Sequence, residues 1–148
     1  MWQEVSVYTT ESTQRWLAQS GALLMFLALL SGGYLAAAMG GQIDADLHSV
    51  VATHLNGLFG ALTLFALGWT LPWISYSPIT VRRVAQALVL STYANFVVTG
   101  VKALLHVAGV AWTNNPANNA IFIILNTTVV APGLIGTFAW FWGLRSRD

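Results

Sequence analysis

The hydrophobic pattern of this chain consists of four long apolar stretches separated by short polar connections. A helix needs about 20 mainly apolar residues to cross a hydrocarbon core of roughly 30 Å. Four stretches meet this requirement, at about residues 20–39, 47–73, 84–105 and 120–142. The connections carry residues typical of turns, including Ser77-Pro78 and Asn115-Pro116. The pattern therefore predicts an all-α fold, a bundle of four transmembrane helices.

The composition is that of a membrane protein. Hydrophobic residues make up 56% of the chain and charged residues only 7%, whereas soluble domains have about 25% charged residues. All seven tryptophans lie near the ends of the predicted spans, and an indole ring prefers the headgroup region of a bilayer. No linker or charge block divides the 148 residues, so we expect a single domain, 1–148. A net charge of +1 gives no reason to expect nucleic-acid binding.

The distribution of arginines predicts the orientation in the membrane. All five arginines fall on one side of a four-span topology, and the connections on the opposite side carry Asp44 and Asp46. Because positively charged loops tend to remain cytoplasmic, we predict cytoplasmic termini and a location in the inner membrane of a bacterium. The alternative is that residues 20–39 form a signal peptide, since Ala36-Ala37-Ala38 is similar to a cleavage site. The acidic residues Glu4 and Glu11 ahead of this stretch argue against that alternative.

The absence of cysteine limits the chemistry that the chain can perform. It excludes disulfides, thiolate catalysis, iron–sulfur clusters and the covalent attachment of a c-type haem. Any haem must therefore be held without a covalent bond to the protein.

One histidine lies within the predicted hydrocarbon region. His54 is about seven residues inside the second span, roughly 10 Å below its boundary. Ionisable side chains at this depth are costly and indicate a functional site, although a hydrogen bond between helices is the simpler alternative. His48 and His106 lie at the rim, as solvated residues or as a metal-binding pair. Because His106 differs from His54 in depth by roughly 10 Å, an iron bound to His54 would keep an open coordination position.

Other polar residues fall at a depth similar to that of His54. Asn56, Asn95 and Asn126 come from three different spans, so we expect a shared polar layer, or simply hydrogen bonds between helices. On the third helix four polar residues share one face by their spacing: Asn95, Thr99, Lys102 and His106. Lys102 is also close enough to the boundary to reach the headgroups.

Small residues follow His54 on the second helix, at Gly57, Gly60 and Ala61. They permit either close packing of a neighbouring helix or contact between a flat cofactor and the backbone. The sequence pattern does not choose between these two interpretations.

Four short motifs carry a resemblance to a known family: His54-Leu55-Asn56-Gly57, Leu71-Pro72, Tyr93-Ala94-Asn95 and Ala131-Pro132-Gly133. In order and spacing they resemble the small four-helix membrane isomerases that include styrene oxide isomerase and hydroxylaminobenzene mutase. The separations between the histidine, the proline and the asparagine match those of styrene oxide isomerases without a gap. The resemblance extends over roughly residues 48–143.

This resemblance implies a cofactor and an assembly. In styrene oxide isomerase the matching histidine is the axial ligand of a b-type haem, near the contact between subunits of a trimer. The resemblance therefore implies that His54 is the metal ligand of haem b in a homotrimer. We assign the cofactor-binding residues to His54, Asn56, Gly57, Gly60 and Asn126.

The resemblance also implies a small aromatic substrate and a role in the degradation of aromatic compounds. We assign Asn95 to orienting the substrate, and Lys102 to contact with a carboxylate if the substrate carries one.

Two departures from the styrene oxide isomerase pattern affect the predicted reaction. Gly60 and Thr99 stand where that family has an asparagine and a tyrosine that help to hold the epoxide. The chain is thus more similar to the hydroxylaminobenzene mutase branch. We predict the rearrangement of an aryl hydroxylamine to an aminophenol, with the haem iron as Lewis acid. The alternatives are an aryl-epoxide isomerase that forms an aldehyde, and a non-catalytic membrane subunit or haem carrier.

Overall fold

The computed structural model describes the backbone of residues 2–145 and the side chains of residues 10–145. Its helices are α1 (Trp2–Met39), α2 (Leu47–Thr70), α3 (Pro78–Leu104), α4 (Pro116–Ile124) and α5 (Ala131–Gly143). A 3₁₀ turn, Leu71–Trp73, extends α2, and a π-helical segment, Leu125–Val130, joins α4 to α5. We call Pro116–Gly143 the fourth span. Four segments are long and apolar enough to cross a membrane, which confirms the predicted four-helix membrane fold.

The second span, Leu47–Trp73, has the bounds that hydropathy predicts, whereas the other three begin earlier than predicted. α1 begins at Trp2 rather than near residue 20, because its first turns are polar but helical. α3 and the fourth span each begin at a proline that follows a capping side chain. The Ser77 hydroxyl accepts a hydrogen bond from the Thr80 amide, and the Asn115 side chain caps the next helix in the same way. Hydropathy locates the apolar part of a helix, whereas capping groups set its start.

The four spans form an open arc. α1 makes its most extensive contact with α2, α3 packs against α2, and the fourth span packs mainly against α3. Within the described residues, α1 and the fourth span are not among the helix pairs in substantial contact. The buried core lies between the first three helices and extends to Trp140 of α5.

Two glycines allow α1, α2 and α3 to approach closely. A Cβ atom on Gly57 would lie 2.6 Å from the Ala28 Cβ and 2.8 Å from a ring carbon of Phe96. A Cβ atom on Gly60 would lie 3.0 Å from a Leu24 methyl group. Small residues at such positions are what closely packed membrane helices require. The structure therefore favours the packing interpretation of Gly57 and Gly60 over contact with a flat cofactor.

The charged side chains that the structure describes lie near the ends of the spans, at one or the other end of the helix bundle. We call one end the arginine end, since the guanidinium group of Arg82 lies 5.3 Å from the ring centre of Trp16 and that of Arg145 lies 4.5 Å from the ring centre of Trp142. The other end, the aspartate end, carries Asp44. Such cation–π pairs hold arginines beside interfacial indole rings.

One tryptophan does not belong to the interfacial belt that the sequence predicts. Trp140 is only 5% exposed, and its indole nitrogen donates a hydrogen bond to the Thr70 hydroxyl at 3.0 Å. This contact fastens the fourth span to the end of α2. Trp2 and Arg147, which the predicted belt and orientation also use, lie outside the residues whose side chains are described.

We predict that Gly57→Ala destabilises the protein, because the added methyl group overlaps Ala28 and Phe96 in a packed core. Overpacking of this kind costs about 1–3 kcal/mol. Thermal unfolding in detergent measures the effect. Gly68→Ala on the same helix is the matched control, since the nearest neighbouring atom would lie 3.6 Å from its Cβ, an ordinary van der Waals distance, and it should leave the melting temperature unchanged or raised. Equal melting temperatures for the two variants would contradict the packing described above.

Candidate functional site

The imidazole of His54 is held against α1 by a backbone carbonyl. Its Nδ1 atom lies 2.8 Å from the Ala28 carbonyl oxygen and 3.3 Å from the Ser31 hydroxyl. The Ser31 hydroxyl also donates to the Ala28 carbonyl, at 2.6 Å. Since a carbonyl oxygen only accepts hydrogen bonds, Nδ1 carries the proton, and Nε2 of the neutral ring keeps its lone pair. Histidines that bind metals through Nε2 are commonly held in this way.

Two glycines of α1 follow Ser31, which lies beside this imidazole. A Cβ atom on Gly32 would lie 3.7 Å from Cε1 of His54, and one on Gly33 would meet nothing within 4 Å. His54 itself is half-buried. Gly32 and Gly33 thus form a stretch of α1 without side chains, which we call the bare strip, and Gly32 lies beside Cε1 of the imidazole.

A network of polar side chains connects α2 and α3. The amide nitrogen of Asn56 donates to Oδ1 of Asn95 at 3.3 Å and to the Thr99 hydroxyl at 3.2 Å. The Thr99 hydroxyl in turn lies 3.4 Å from Oδ1 of Asn95, and Thr99 is only 4% exposed. These bonds join α2 and α3, two of the three spans whose asparagines the sequence places at a similar depth.

His54 and this network face opposite sides of α2. Two positions along an α-helix correspond to a rotation of roughly 200°, so His54 and Asn56 point in different directions. His54 contacts α1, whereas Asn56 contacts α3. Within one chain, the candidate ligand and Asn95 therefore do not line the same cavity.

Asn126 does not join the network. Its side chain is exposed and donates to the carbonyl of Phe122, one turn earlier in its own helix. Thr127 and Thr128 also bond to carbonyls four residues earlier. Three consecutive side chains that compete for backbone carbonyls give a physical reason for the π-helical segment at this point. The expected polar layer of three spans is therefore limited to α2 and α3.

An apolar groove of about 410 Å³ lies between α2, α3 and the fourth span. Its lining includes Ser91 and Thr92, which precede Asn95 by about one helical turn, and Gly133. The Ser91 hydroxyl donates to the Val129 carbonyl at 2.8 Å, so its polarity is largely satisfied. The groove is large enough for a small aromatic molecule, since ligand pockets have volumes of roughly 300–1,000 Å³.

The histidines of the aspartate end lie apart from His54. α3 ends at Leu104, and His106 follows it with a φ of 50°. His106 therefore does not continue the helical face of Asn95 and Thr99 as the spacing predicts. Its Nε2 atom lies 3.4 Å from Oδ1 of Asp44. In the part of the chain whose side chains are described, no group of three histidine, cysteine or acidic residues is placed to hold a metal ion.

Fold and site together define a four-helix membrane protein with a half-buried imidazole whose Nε2 atom is available as a ligand. A comparison with protein families matches residues 13–145 to the model of the styrene oxide isomerase family. The match covers most of the chain, and the protein belongs to this family. Comparisons with curated proteins and with solved structures gave no significant match. The family supports an isomerase activity and does not distinguish between its two branches.

The sequence did not identify the α1 side of this site. Ser31-Gly32-Gly33 is a run of small residues in an apolar span, which is a signal for close approach of another group. The register that places Ala28 and Ser31 beside His54 depends on helix packing, and the sequence pattern does not specify it.

Proposed function

We propose that this protein is a haem b isomerase that rearranges an aryl hydroxylamine to an aminophenol. Membership of the family supports an isomerase; the cofactor and the particular reaction are the proposal. The observation that carries it is the hydrogen bond from Nδ1 of His54 to the Ala28 carbonyl, which leaves Nε2 as a ligand inside a membrane span.

The residues around His54 fit a haem group. The imidazole offers one nitrogen ligand, and the bare strip at Gly32 and Gly33 is compatible with a planar macrocycle. The chain has no cysteine, so attachment would be non-covalent. Held there by His54, haem would supply a Lewis-acidic iron that polarises the substrate heteroatom.

The reaction exchanges no electrons with an external partner. The N–O bond of the hydroxylamine breaks, a C–O bond forms at an ortho or para ring carbon, and the proton displaced from that carbon ends on nitrogen. Asn95 would orient the substrate by hydrogen bonds from its amide. Breakage of the N–O bond would leave positive charge on the aromatic ring of the substrate. The apolar groove near Asn95 would exclude bulk water from this charged ring and so limit side reactions.

Two positions favour the hydroxylamine over an epoxide. Gly60 has no side chain to donate to an epoxide oxygen, and its surroundings are filled by Leu24 and Thr92. The Thr99 hydroxyl is buried and already bonded within the Asn56–Asn95 network. Loss of one hydrogen bond to a transition state costs about 3–4 kcal/mol. An aryl-epoxide isomerase that forms an aldehyde is the second candidate, and a haem carrier without activity is the third.

The proposed assembly is a homotrimer in the inner membrane of a bacterium, with the arginine end in the cytoplasm. Its support is the division of the site, because His54 contacts α1 while Asn95 bonds to Asn56 on the opposite side of α2. The fourth span also leaves large side chains uncovered, among them Ile135, 70% exposed, and Phe138, 64% exposed. A second copy that covers such a surface would bring its own polar network towards the His54 of its neighbour.

Initial rates on two substrates test the proposed reaction. We expect the purified protein to convert phenylhydroxylamine to an aminophenol without added oxidant or reductant, and to convert styrene oxide at least about tenfold more slowly. Asn95→Ala should lower kcat/KM for the hydroxylamine by about tenfold or more, since an orienting hydrogen bond is lost. Gln86→Ala removes an exposed amide from the same helix and serves as the control. Faster turnover of styrene oxide would favour the epoxide isomerase, and no turnover of either would favour the haem carrier.

Mixed oligomers test the division of the site between protomers. His54→Ala should be inactive alone, and Asn95→Ala should keep about a tenth or less of the wild-type activity. Co-expressed in equal amounts, they should regain about a quarter of the wild-type activity, because that share of sites combines an intact His54 from one protomer with an intact Asn95 from another. As the control, two differently tagged copies of His54→Ala are co-expressed, and they should stay inactive. If co-expression restores nothing while mixed oligomers are isolated with both tags, each site belongs to a single protomer.

A further inference from the structure

A second cavity lies at the aspartate end, outside the site described above. It has a volume of about 460 Å³ and lies between the start of α2 and the residues that follow α3. We call it the aspartate-end cavity. Its polar lining consists of Asp46, His48, Ser49, Lys102 and His106.

Lys102 is a cation in this cavity whose charge is not balanced by a carboxylate. Its ammonium group donates to the Ala108 carbonyl at 3.2 Å, and among the described residues the only ion pair is that of His106 with Asp44. A carbonyl is a weaker partner for an ammonium group than a carboxylate is, because the strongest hydrogen bonds join two charged groups. Lys102 can therefore gain from an anion that enters the cavity.

The one carboxylate in the lining is already engaged. Asp46 caps α2, and its Oδ2 atom accepts hydrogen bonds from the Ser49 hydroxyl at 2.6 Å and from the Ser49 amide at 3.0 Å. These two bonds hold the pKa of Asp46 below its ordinary value. The carboxylate thus neutralises the start of the helix, and it is held there instead of pairing with Lys102.

The remaining lining of the cavity has apolar side chains. Val107, Ala108 and Val110 complete the lining, and Val110 is 72% exposed. Pockets for small molecules commonly combine such side chains with a few placed polar groups, in volumes of roughly 300–1,000 Å³. A ligand that suits both Lys102 and the apolar side chains has an apolar ring and a single negative charge.

The cavity adjoins the polar network of α2 and α3. Lys102 follows Thr99 by about one helical turn on the same side of α3, and Ser49 precedes Asn56 by about two turns on α2. We propose that the aspartate-end cavity binds a small aromatic carboxylate, with Lys102 as its counter-ion. If the protein is the isomerase proposed above, this cavity receives acidic aromatic substrates such as a hydroxylaminobenzoate before they reach Asn95; binding itself does not depend on that activity.

Calorimetric titration with benzoate tests the proposal on the full-length protein in phosphatidylcholine nanodiscs. Benzoate should bind once per protomer, and Lys102→Met should weaken binding by about tenfold or more through loss of the charged hydrogen bond. Benzyl alcohol, which has the same ring without the charge, should bind equally to both proteins. Arg83→Met, a similar change at the arginine end, should leave benzoate binding unchanged.

A second variant keeps the lysine and fills the cavity. Ala108→Trp should abolish the binding of benzoate and of benzyl alcohol together, and it tests the site even if Lys102→Met does not fold. Undiminished benzoate binding in either folded variant would overturn the proposal. A second result would also overturn it. If phosphatidylglycerol in the discs abolishes benzoate binding, and if binding of that lipid also depends on Lys102, the cavity holds a lipid headgroup.

The titration is independent of turnover. Benzoate binding without any conversion of hydroxylamines would leave the aspartate-end cavity in place and remove the proposed reaction. Conversion of hydroxylamines without benzoate binding would do the reverse.

Discussion

The hydrogen bond between Nδ1 of His54 and the Ala28 carbonyl is the contact on which the candidate site depends. It fixes the tautomer of an imidazole inside a membrane span, because Nδ1 donates to the carbonyl and Nε2 keeps the lone pair. Without that bond the imidazole would be a costly polar group with no defined direction. With it, the pair of helices α1 and α2 presents one imidazole nitrogen with a free lone pair, and the Ser31 hydroxyl shares the carbonyl that holds the ring.

Close packing of three helices makes this contact possible. The Ala28 carbonyl reaches His54 because Gly57, one turn further along α2, brings the Ala28 Cβ against the α2 backbone and receives Phe96 from α3. In a bilayer this approach is stabilised by van der Waals contact and by polar bonds, since lipid tails are as apolar as the helix surfaces. The Asn56–Asn95–Thr99 network provides such polar bonds on the other side of α2. Packing and site geometry therefore have one cause.

The sequence predicted the features that depend on local composition. The four spans follow from hydropathy, and the pairing of Asn56 with Asn95 follows from depth, because antiparallel helices place residues of similar depth side by side. Features that depend on helix register were not predicted. Trp140 packs in the core instead of at the interface, Asn126 bonds to its own helix, and His106 lies beyond the end of α3. The sequence also did not predict that the bare strip of α1 lies beside His54, because that placement depends on how α1 and α2 are rotated relative to each other.

Haem content of a ligand variant tests the central claim, that His54 holds the cofactor. The wild-type protein should carry haem with a Soret band, and His54→Gly should lack it, because removal of a metal ligand costs more than the roughly tenfold to hundredfold loss seen for outer partners. Added imidazole should restore the band in His54→Gly by occupying the vacated space. His48→Gly, at the exposed aspartate end, should keep the wild-type spectrum. A full Soret band in His54→Gly without imidazole would contradict the account. Loss of the band in His48→Gly, with the band retained in His54→Gly, would also contradict it.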